Sequence, residues 1–352
     1  MKRNPPIDNA AIAELLAQEA QKAKHPLNRA FRRAARAAFL WPEEAWDIAD
    51  RNESLTILPS VGPYLEKTIL AWLEKPPSPG VVPEIRKNFL TMAKASRILT
   101  ENPSWRSVAR GDLQMHTEWS DGENTIAEMA EAGRARGYEY IAITDHAKSL
   151  KIAGGIDEAA LSEQAAEIQR VNQTSLAHGN NFRVLRSIEL NLSPAGQGDM
   201  PPEALRQLDV VIGAFHSALR RTDDQTERYL AAVRNPGVHI LAHPRTRIYN
   251  HRLGLAADWP EVFAAAAALD KAVEVDCYPD RQDLDGKTLR LAKAAGVKVS
   301  LGTDSHHSWQ LEFMTLGLAA ACAAGIARKN IVNNMSADAL LAWVEMLRAK
   351  QR

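Results

Sequence analysis

The sequence predicts an α/β chain: a distorted seven-stranded βα barrel preceded by a small all-α domain. Three observations carry this. From Gly111 onward, short apolar runs of strand length alternate with helix-length stretches, the pattern of a parallel sheet. Five of those runs lead into a metal-ligand residue: 112–116 (DLQMH), 141–146 (IAITDH), 210–216 (VVIGAFH), 238–244 (VHILAHP) and 297–306 (VKVSLGTDSH). A sixth, 184–189 (VLRSIE), ends in a carboxylate. Ligand residues repeated at strand ends favour a closed barrel with its chemistry at one face.

The elements follow in order. Asp8 can cap a helix running to residue 24, and a second run covers 27–39. Pro42 opens a third helix through residue 48. Residues 55–74 (LTILPSVGPYLEKTILAWLE) give a short apolar run, a Pro–x–x–Gly turn and another helix. The Pro-rich stretch 75–83 reads as a linker, and one more helix spans 84–99. The expected domains are 1–99, all-α, and 111–352, α/β, joined by 100–110. In the second domain helices are expected at 125–136, 158–177, 223–234, 260–269, 284–295 and 310–324. A strand near 272–275 completes the seven.

Composition bounds the partners only weakly. Hydrophobic residues make up 45% of 352, enough for a large core, and 43 basic residues balance 43 acidic ones. The distribution is less even. Residues 1–40 carry Lys2, Arg3, Lys22, Lys24, Arg29, Arg32, Arg33 and Arg36 against Asp8, Glu14 and Glu19. This segment is either a phosphate-facing patch or a solvated helix face. Two cysteines, Cys277 and Cys322, argue against a disulfide framework and fit a reducing cytoplasm. The start, MKRNPPIDNA, has no apolar core of a signal peptide, and no apolar stretch reaches membrane-spanning length. A cytoplasmic protein with no membrane partner is expected.

The strand-end residues form one constellation: Gln114, His116, Asp121, Asp145, His146, Glu189, His216, His243, Asp304 and His306. Imidazole and carboxylate suit zinc, manganese or iron. Two or three such ions sharing a carboxylate activate water and neutralise charge on a phosphoryl group. His25, His178, His239, His251 and His307 lie off these positions and are read as packing or surface residues. Cys277 could line the cleft or pack as a small apolar group.

The segments DLQMHTEWSDG, AITDHAKSL, RSIELN, VVIGAFHS, ILAHPRTR and GTDSHH resemble, in order, the motifs of the PHP (polymerase and histidinol phosphatase) superfamily. They are most similar to the PHP domain of bacterial family X DNA polymerases. The resemblance implies a distorted seven-stranded barrel and a metal-dependent phosphoesterase. It implies one ion on Gln114, His116, Glu189 and Asp304, a second on Glu189, His216 and His243, and a third on Asp121, His146 and His306. His116, Glu189, His243 and Asp304 would be catalytic, with water between the ions as nucleophile. Asp145 would orient a ligand. Lys148, Arg247, Arg245 and Arg281 would contact phosphate. The family's first motif begins His–x–His, and here Gln114 stands at its first position. An amide oxygen is a weaker, neutral ligand that suits manganese or magnesium better than zinc.

Residues 58–62 (LPSVG) resemble the turn of a helix-hairpin-helix element, with Ser60 where the usual Pro–Gly–x–Gly has its first Gly. The turn Pro59, Ser60, Val61 and Gly62 would face a DNA phosphate, with backbone N–H groups offered by Ser60, Val61 and Gly62. Where related domains carry a Schiff-base lysine this chain has Thr68, with Lys67 one place off, so no lyase chemistry is expected. Residues 84–110 are too few for a polymerase palm, so polymerase activity is not expected either. The expected activity is a 3′–5′ exonuclease or 3′-phosphatase acting on DNA. The alternatives are a small-molecule phosphatase of the histidinol-phosphatase type and a non-catalytic DNA-binding protein with a decayed site.

Overall fold

A computed structural model describes residues 7–78 and 80–350. Contacts divide the chain into two units, Met1–Glu101 and Asn102–Arg352.

The first unit is helical: α1 (Asn9–Lys22), α2 (Leu27–Ala37), α3 (Ala45–Asp50), α4 (Pro63–Glu74) and α5 (Met92–Glu101). Asp8 caps α1, its carboxylate accepting from the Ala11 N–H at 2.9 Å. Buried Asn9 and Glu44 lock α1 to α3. Asn9 N–H donates to Glu44 Oε2 at 2.7 Å, and Ala45 N–H donates to Asn9 Oδ1 at 2.9 Å. Buried Trp41 donates its indole N–H to the Pro59 carbonyl at 3.0 Å and so fixes the turn before α4. In that turn Ser60 takes φ +66°, the conformation a glycine would supply most cheaply. The helix expected over 84–99 is not continuous. A 3-10 turn covers Glu84–Arg86, and α5 begins only at Met92, where Thr91 Oγ1 accepts the Lys94 N–H at 3.2 Å.

The second unit alternates strand and helix: β1 (Gly111–Asp112), α6 (Ile126–Ala135), β2 (Tyr140–Ile143), α7 (Glu158–Ala177), β3 (Arg183–Arg186), β4 (Glu189–Asn191), α8 (Pro202–Leu205), β5 (Ile212–Ala214), α9 (Thr226–Arg234), β6 (Ile240–Leu241), α10 (Trp259–Ala268), β7 (Ala272–Asp276), α11 (Gly286–Ala295), β8 (Lys298–Gly302), α12 (Met314–Ala324) and α13 (Ala337–Ala349). Every strand pair is parallel. The expected single seven-stranded sheet is drawn as eight segments in two sheets, β1-β2-β3 and β4-β5-β6-β7-β8. The run 184–189 supplies both β3 and β4: only Ser187 and Ile188 lie between them, and the Ile188 carbonyl still accepts the Ile212 N–H at 3.2 Å.

The two sheets meet at both seams. An isolated bridge joins His146 to Glu189, and another joins Met115 to Ser305. Buried Asn333 donates to the carbonyls of Gly111 (2.9 Å) and Leu301 (2.8 Å) and accepts from Leu301 N–H (2.7 Å), stitching β1 to β8. Strand β2 shows why its run reads as continuously apolar. Tyr140 and Ala142 join the cluster that contains Trp343 and Leu347 of α13, while Ile141 and Ile143 join Met129 of α6 and Ile168 of α7. Both faces are buried, as in parallel sheets generally. Each such aliphatic side chain contributes roughly 1.5–3 kcal/mol of burial. The α13 cluster contains the first residues of β2, β5, β6 and β7, so α13 packs against the strand starts and leaves the strand ends open.

Candidate metal centre

Apart from Asp121, which lies further along the loop after β1, the candidate ligands lie just beyond, or at the start of, a strand. His116 follows β1, His146 follows β2, Glu189 opens β4, His216 follows β5, His243 follows β6, and Asp304 and His306 follow β8. These positions bring them together. Glu189 is the hub. Its Oε1 lies 2.6 Å from His243 Nε2 and 3.3 Å from His216 Nε2, and its Oε2 lies 2.8 Å from His146 Nδ1 and 3.6 Å from His116 Nε2. Asp304 Oδ1 meets His116 Nε2 at 2.9 Å. Asp121 Oδ1 faces His306 Nε2 at 3.4 Å, His146 Nε2 at 3.5 Å and His116 Nδ1 at 4.0 Å. In two groups the potential ligand atoms all lie within 4.8 Å of one another: His116, Asp121, His146 and His306; and His146, Glu189 and His216.

Loops hold these groups by hydrogen bonds among buried acids. Asp145 accepts from Thr117 N–H (2.8 Å), Thr117 hydroxyl (2.7 Å), Ser120 hydroxyl (2.5 Å) and Gln164 Nε2 (2.7 Å), and so fixes the loop between His116 and Asp121. Its partner is that loop rather than an imidazole. Asp112 accepts from Thr303 hydroxyl at 2.5 Å and Gln114 N–H at 3.2 Å, tying the β1 loop to the β8 loop. Burial pushes both carboxyls up to about 6. His243 (φ +23°) and Asp304 (φ +52°) sit in the left-handed region, backbone strain of the kind found at functional sites.

The electrostatics favour cations. Burial raises the Glu189 carboxyl, but His146, His216 and His243 outweigh it and hold it well below the usual range. Burial, with His146 and His306 close by, drives His116 well down, so its imidazole is neutral and fit to ligate. His116 Nδ1, His146 Nδ1 and Glu189 Oε2 are buried with no aligned hydrogen-bond partner. Unpartnered buried nitrogens and a carboxylate oxygen facing one another, with no thiolate among them, fit divalent ions such as zinc, manganese or iron.

Other expectations fare differently. Gln114 is fully buried, and its amide meets Glu274 of β7. The structure turns Lys148 to Glu158 (2.5 Å) and Arg245 to Asp285 (3.0 Å), and neither lines the cleft because these acids engage them first. Arg247 and Arg281 do line it, as does Arg252, which the sequence reading missed. Arg281 contacts Asp304 Oδ2 and lies 3.8 Å from Asp276. Arg247 is buried, donates Nε–H to the Arg281 carbonyl at 2.9 Å, and is lowered to about 10 by that burial. Cys277 is buried, with Gly317 leaving room for its sulfur, and lies outside the cleft lining. Among the off-motif histidines, His239 is buried and its Nδ1 accepts the Val211 N–H at 2.9 Å. Glu274 carried no signal in its sequence context, since its role depends on residues far away in the chain. The cleft holds about 220 Å³, and Leu150, Phe215, Leu219 and Ile248 form its apolar wall.

Fold and site together define an α/β protein of parallel sheets with a histidine–carboxylate centre at the strand ends. The chain belongs to the PHP family: the PHP domain model matches residues 112–266. It is 36% identical over 228 residues to "DNA polymerase/3′-5′ exonuclease PolX" of Bacillus subtilis (strain 168), covering 64% of this chain and 39% of that protein. The chain therefore spans well under half of that relative. A "Probable phosphatase" of Acetivibrio thermocellus is 30% identical over 210 residues, 57% of this chain and 80% of that protein. A solved structure, histidinol phosphate phosphatase from Lactococcus lactis with zinc, L-histidinol and phosphate, is 18% identical with a TM-score of 0.43, covering 60% of this chain and 93% of that one. No helix among the described residues is long and apolar enough to cross a membrane.

Proposed function

We propose that the protein is a metal-dependent phosphoesterase that acts on DNA ends, as a 3′–5′ exonuclease or 3′-phosphatase. The observation that carries the reading is one cleft lined by Asp121, Asp304 and the imidazoles of His146, His216, His243 and His306 together with Arg247, Arg252 and Arg281, with buried Glu189 and His116 in contact with those groups. His116, Asp121, His146, Glu189, His216, His243, Asp304 and His306 would hold two or three divalent ions. Ions bound there would supply charge neutralisation at phosphorus and a more nucleophilic water. The chain's own contribution is positioning. Glu189 and Asp304 orient the imidazoles, the guanidinium groups match phosphate oxygens, and the apolar wall takes a sugar or base.

DNA is favoured by the exonuclease relative and by α2. Arg29, Arg32, Arg33 and Arg36 are exposed at i, i+3, i+4 and i+7 on one face, and none has an ion-pair partner among the described residues. Lys2 and Arg3, expected to add to this patch, lie outside the described residues. The turn at Pro59, Ser60, Val61 and Gly62 would add the backbone N–H groups of Ser60 and Gly62, that of Val61 being donated to the Leu58 carbonyl at 3.1 Å. A small phosphomonoester is the second reading, favoured by the confined 220 Å³ cleft and the phosphatase-named relative.

The test is hydrolysis of 3′-labelled single-stranded DNA, 3′-phosphorylated DNA and histidinol phosphate by the manganese-loaded chain. Release of 3′ nucleotides or phosphate from DNA, lost in His243→Ala, is the expected result. Turnover of histidinol phosphate alone favours the second reading. DNA binding without any turnover refutes both.

A further inference from the structure

Gln114 departs from the family's histidine, and the structure gives it a partner of its own. With the amide nitrogen set toward the carboxylate, Gln114 donates to both oxygens of Glu274, at 2.6 Å from Oε2. Both side chains are buried. Glu274 Oε2 also accepts the backbone N–H of His243 at 2.7 Å. That backbone lies at φ +23°, where a non-glycine residue persists only if its surroundings hold it. The His243 ring in turn reaches Glu189, Nε2 to Oε1, at 2.6 Å.

Space has been left for this chain of contacts. A Cβ at Gly302 would collide with Glu274 Oε1 and lie 2.7 Å from Gln114 Cβ. Asp304, beside which the family pattern would place the first ligand, is met instead by Arg281 and by His116.

We infer that Gln114 is a positioning residue, not a metal ligand: it holds Glu274, and Glu274 holds the strained His243 backbone so that the imidazole faces Glu189. The inference rests on the reading of the site as a metal centre. An amide suits the task, because its NH₂ adds a second donor to Glu274 beside the His243 N–H. Residues that orient a ligand change metal affinity without changing the number of ions.

The test is calorimetric titration of the metal-free full chain with Mn²⁺, for wild type, Gln114→Ala, Glu274→Ala, the double variant and Glu274→Gln. The number of bound ions is expected to stay at the wild-type value in all five proteins. Affinity is expected to fall about 10–100-fold in each alanine variant. The double variant should be no weaker than the weaker single one, since both break one chain of contacts. Glu274→Gln keeps an oxygen for the His243 N–H and should stay within a few-fold of wild type, which also separates positioning from misfolding. Loss of one ion in Gln114→Ala, with the count retained in Glu274→Ala, would make Gln114 a ligand and overturn the inference. So would additive losses in the double variant. A wild-type chain that takes up no Mn²⁺ would instead sink the metal-centre reading, and this inference with it.

Discussion

A single buried histidine gives the clearest pH signature. Burial, with Arg348 and Lys271 nearby, lowers His239 to about 3. Its Nδ1 must stay unprotonated to accept the Val211 N–H. Between about pH 6.5 and pH 3 the unfolded chain takes up a proton that the folded chain refuses. The stability this histidine contributes is therefore complete above about pH 6.5 and falls by about 1.4 kcal/mol per pH unit below it. Urea unfolding at about pH 7 and about pH 5 should show wild type losing about 2 kcal/mol more than His239→Gln. Equal losses would show that the ring is not held neutral. The sequence marks His239 only as off-motif, because its partner is set by the β5–β6 packing. The same limit applies around the centre. Ligand types are legible because His116, His146, His216 and His243 each close an apolar run. Partners are not: Gln114 meets Glu274 from far along the chain, and Lys148 is taken by Glu158 on the following helix. Such pairings come from the tertiary path, which residue type does not encode.

Elements were legible where a local device fixes them. Helix α7 (Glu158–Ala177) has Asp157 at its N-cap, accepting from Ala159 and Ala160 N–H at 3.1 and 3.0 Å, and it occupies the full expected run. Helix α6 starts at a capping box of Thr125 and Glu128. Helix α5 starts late because Asn88 takes φ +61° and Thr91 offers a later cap, signals that apolar periodicity overlooks. Strand β1 is only two residues long, and the rest of 112–116 runs on to His116 outside the strand, with Met115 bridging Ser305. The basic segment becomes specific at this scale. In α2, Phe31, Ala34 and Ala35 are buried, while four arginines share the opposite face. Arginines at i,i+3 and i,i+4 repel one another, so this arrangement does not serve the helix itself. It extends over about 10 Å of helix, about three phosphate steps of one strand. Replacing all four with glutamine should reduce the slope of log affinity for single-stranded DNA against log salt by about 3. Hydrolysis of a small phosphomonoester should be unchanged. An unaltered salt slope would assign this face to solvent.

At the scale of the molecule, the two units should respond differently to metal. Every candidate ligand lies in the unit Asn102–Arg352, and those ligands come from the loops after β1, β2, β5, β6 and β8 and from the start of β4. No short segment contains a complete set: Glu189 needs His146, His216 and His243, which are brought in by three other strand ends. Ions held by this set would bind the folded second unit and have no comparable site in its unfolded chain. Binding at about 100 times the dissociation constant then stabilises that unit by about 2.7 kcal/mol per ion. For a domain of this size each kcal/mol raises the melting temperature by about 2–4 °C. The first unit supplies none of these ligands and has a buried apolar core of its own, with Ile12, Leu16, Trp41, Ile48 and Ile69. Scanning calorimetry with Mn²⁺ and then with a chelator should move the transition of the second unit by about 5–11 °C per ion. The transition of the first unit should stay in place. His216→Ala, which removes one contact to Glu189, should shrink the shift without abolishing it, because the group around Asp121, His146 and His306 remains. A melting profile indifferent to metal and chelator would mean that the histidines and acids at the strand ends hold one another and bind no ion.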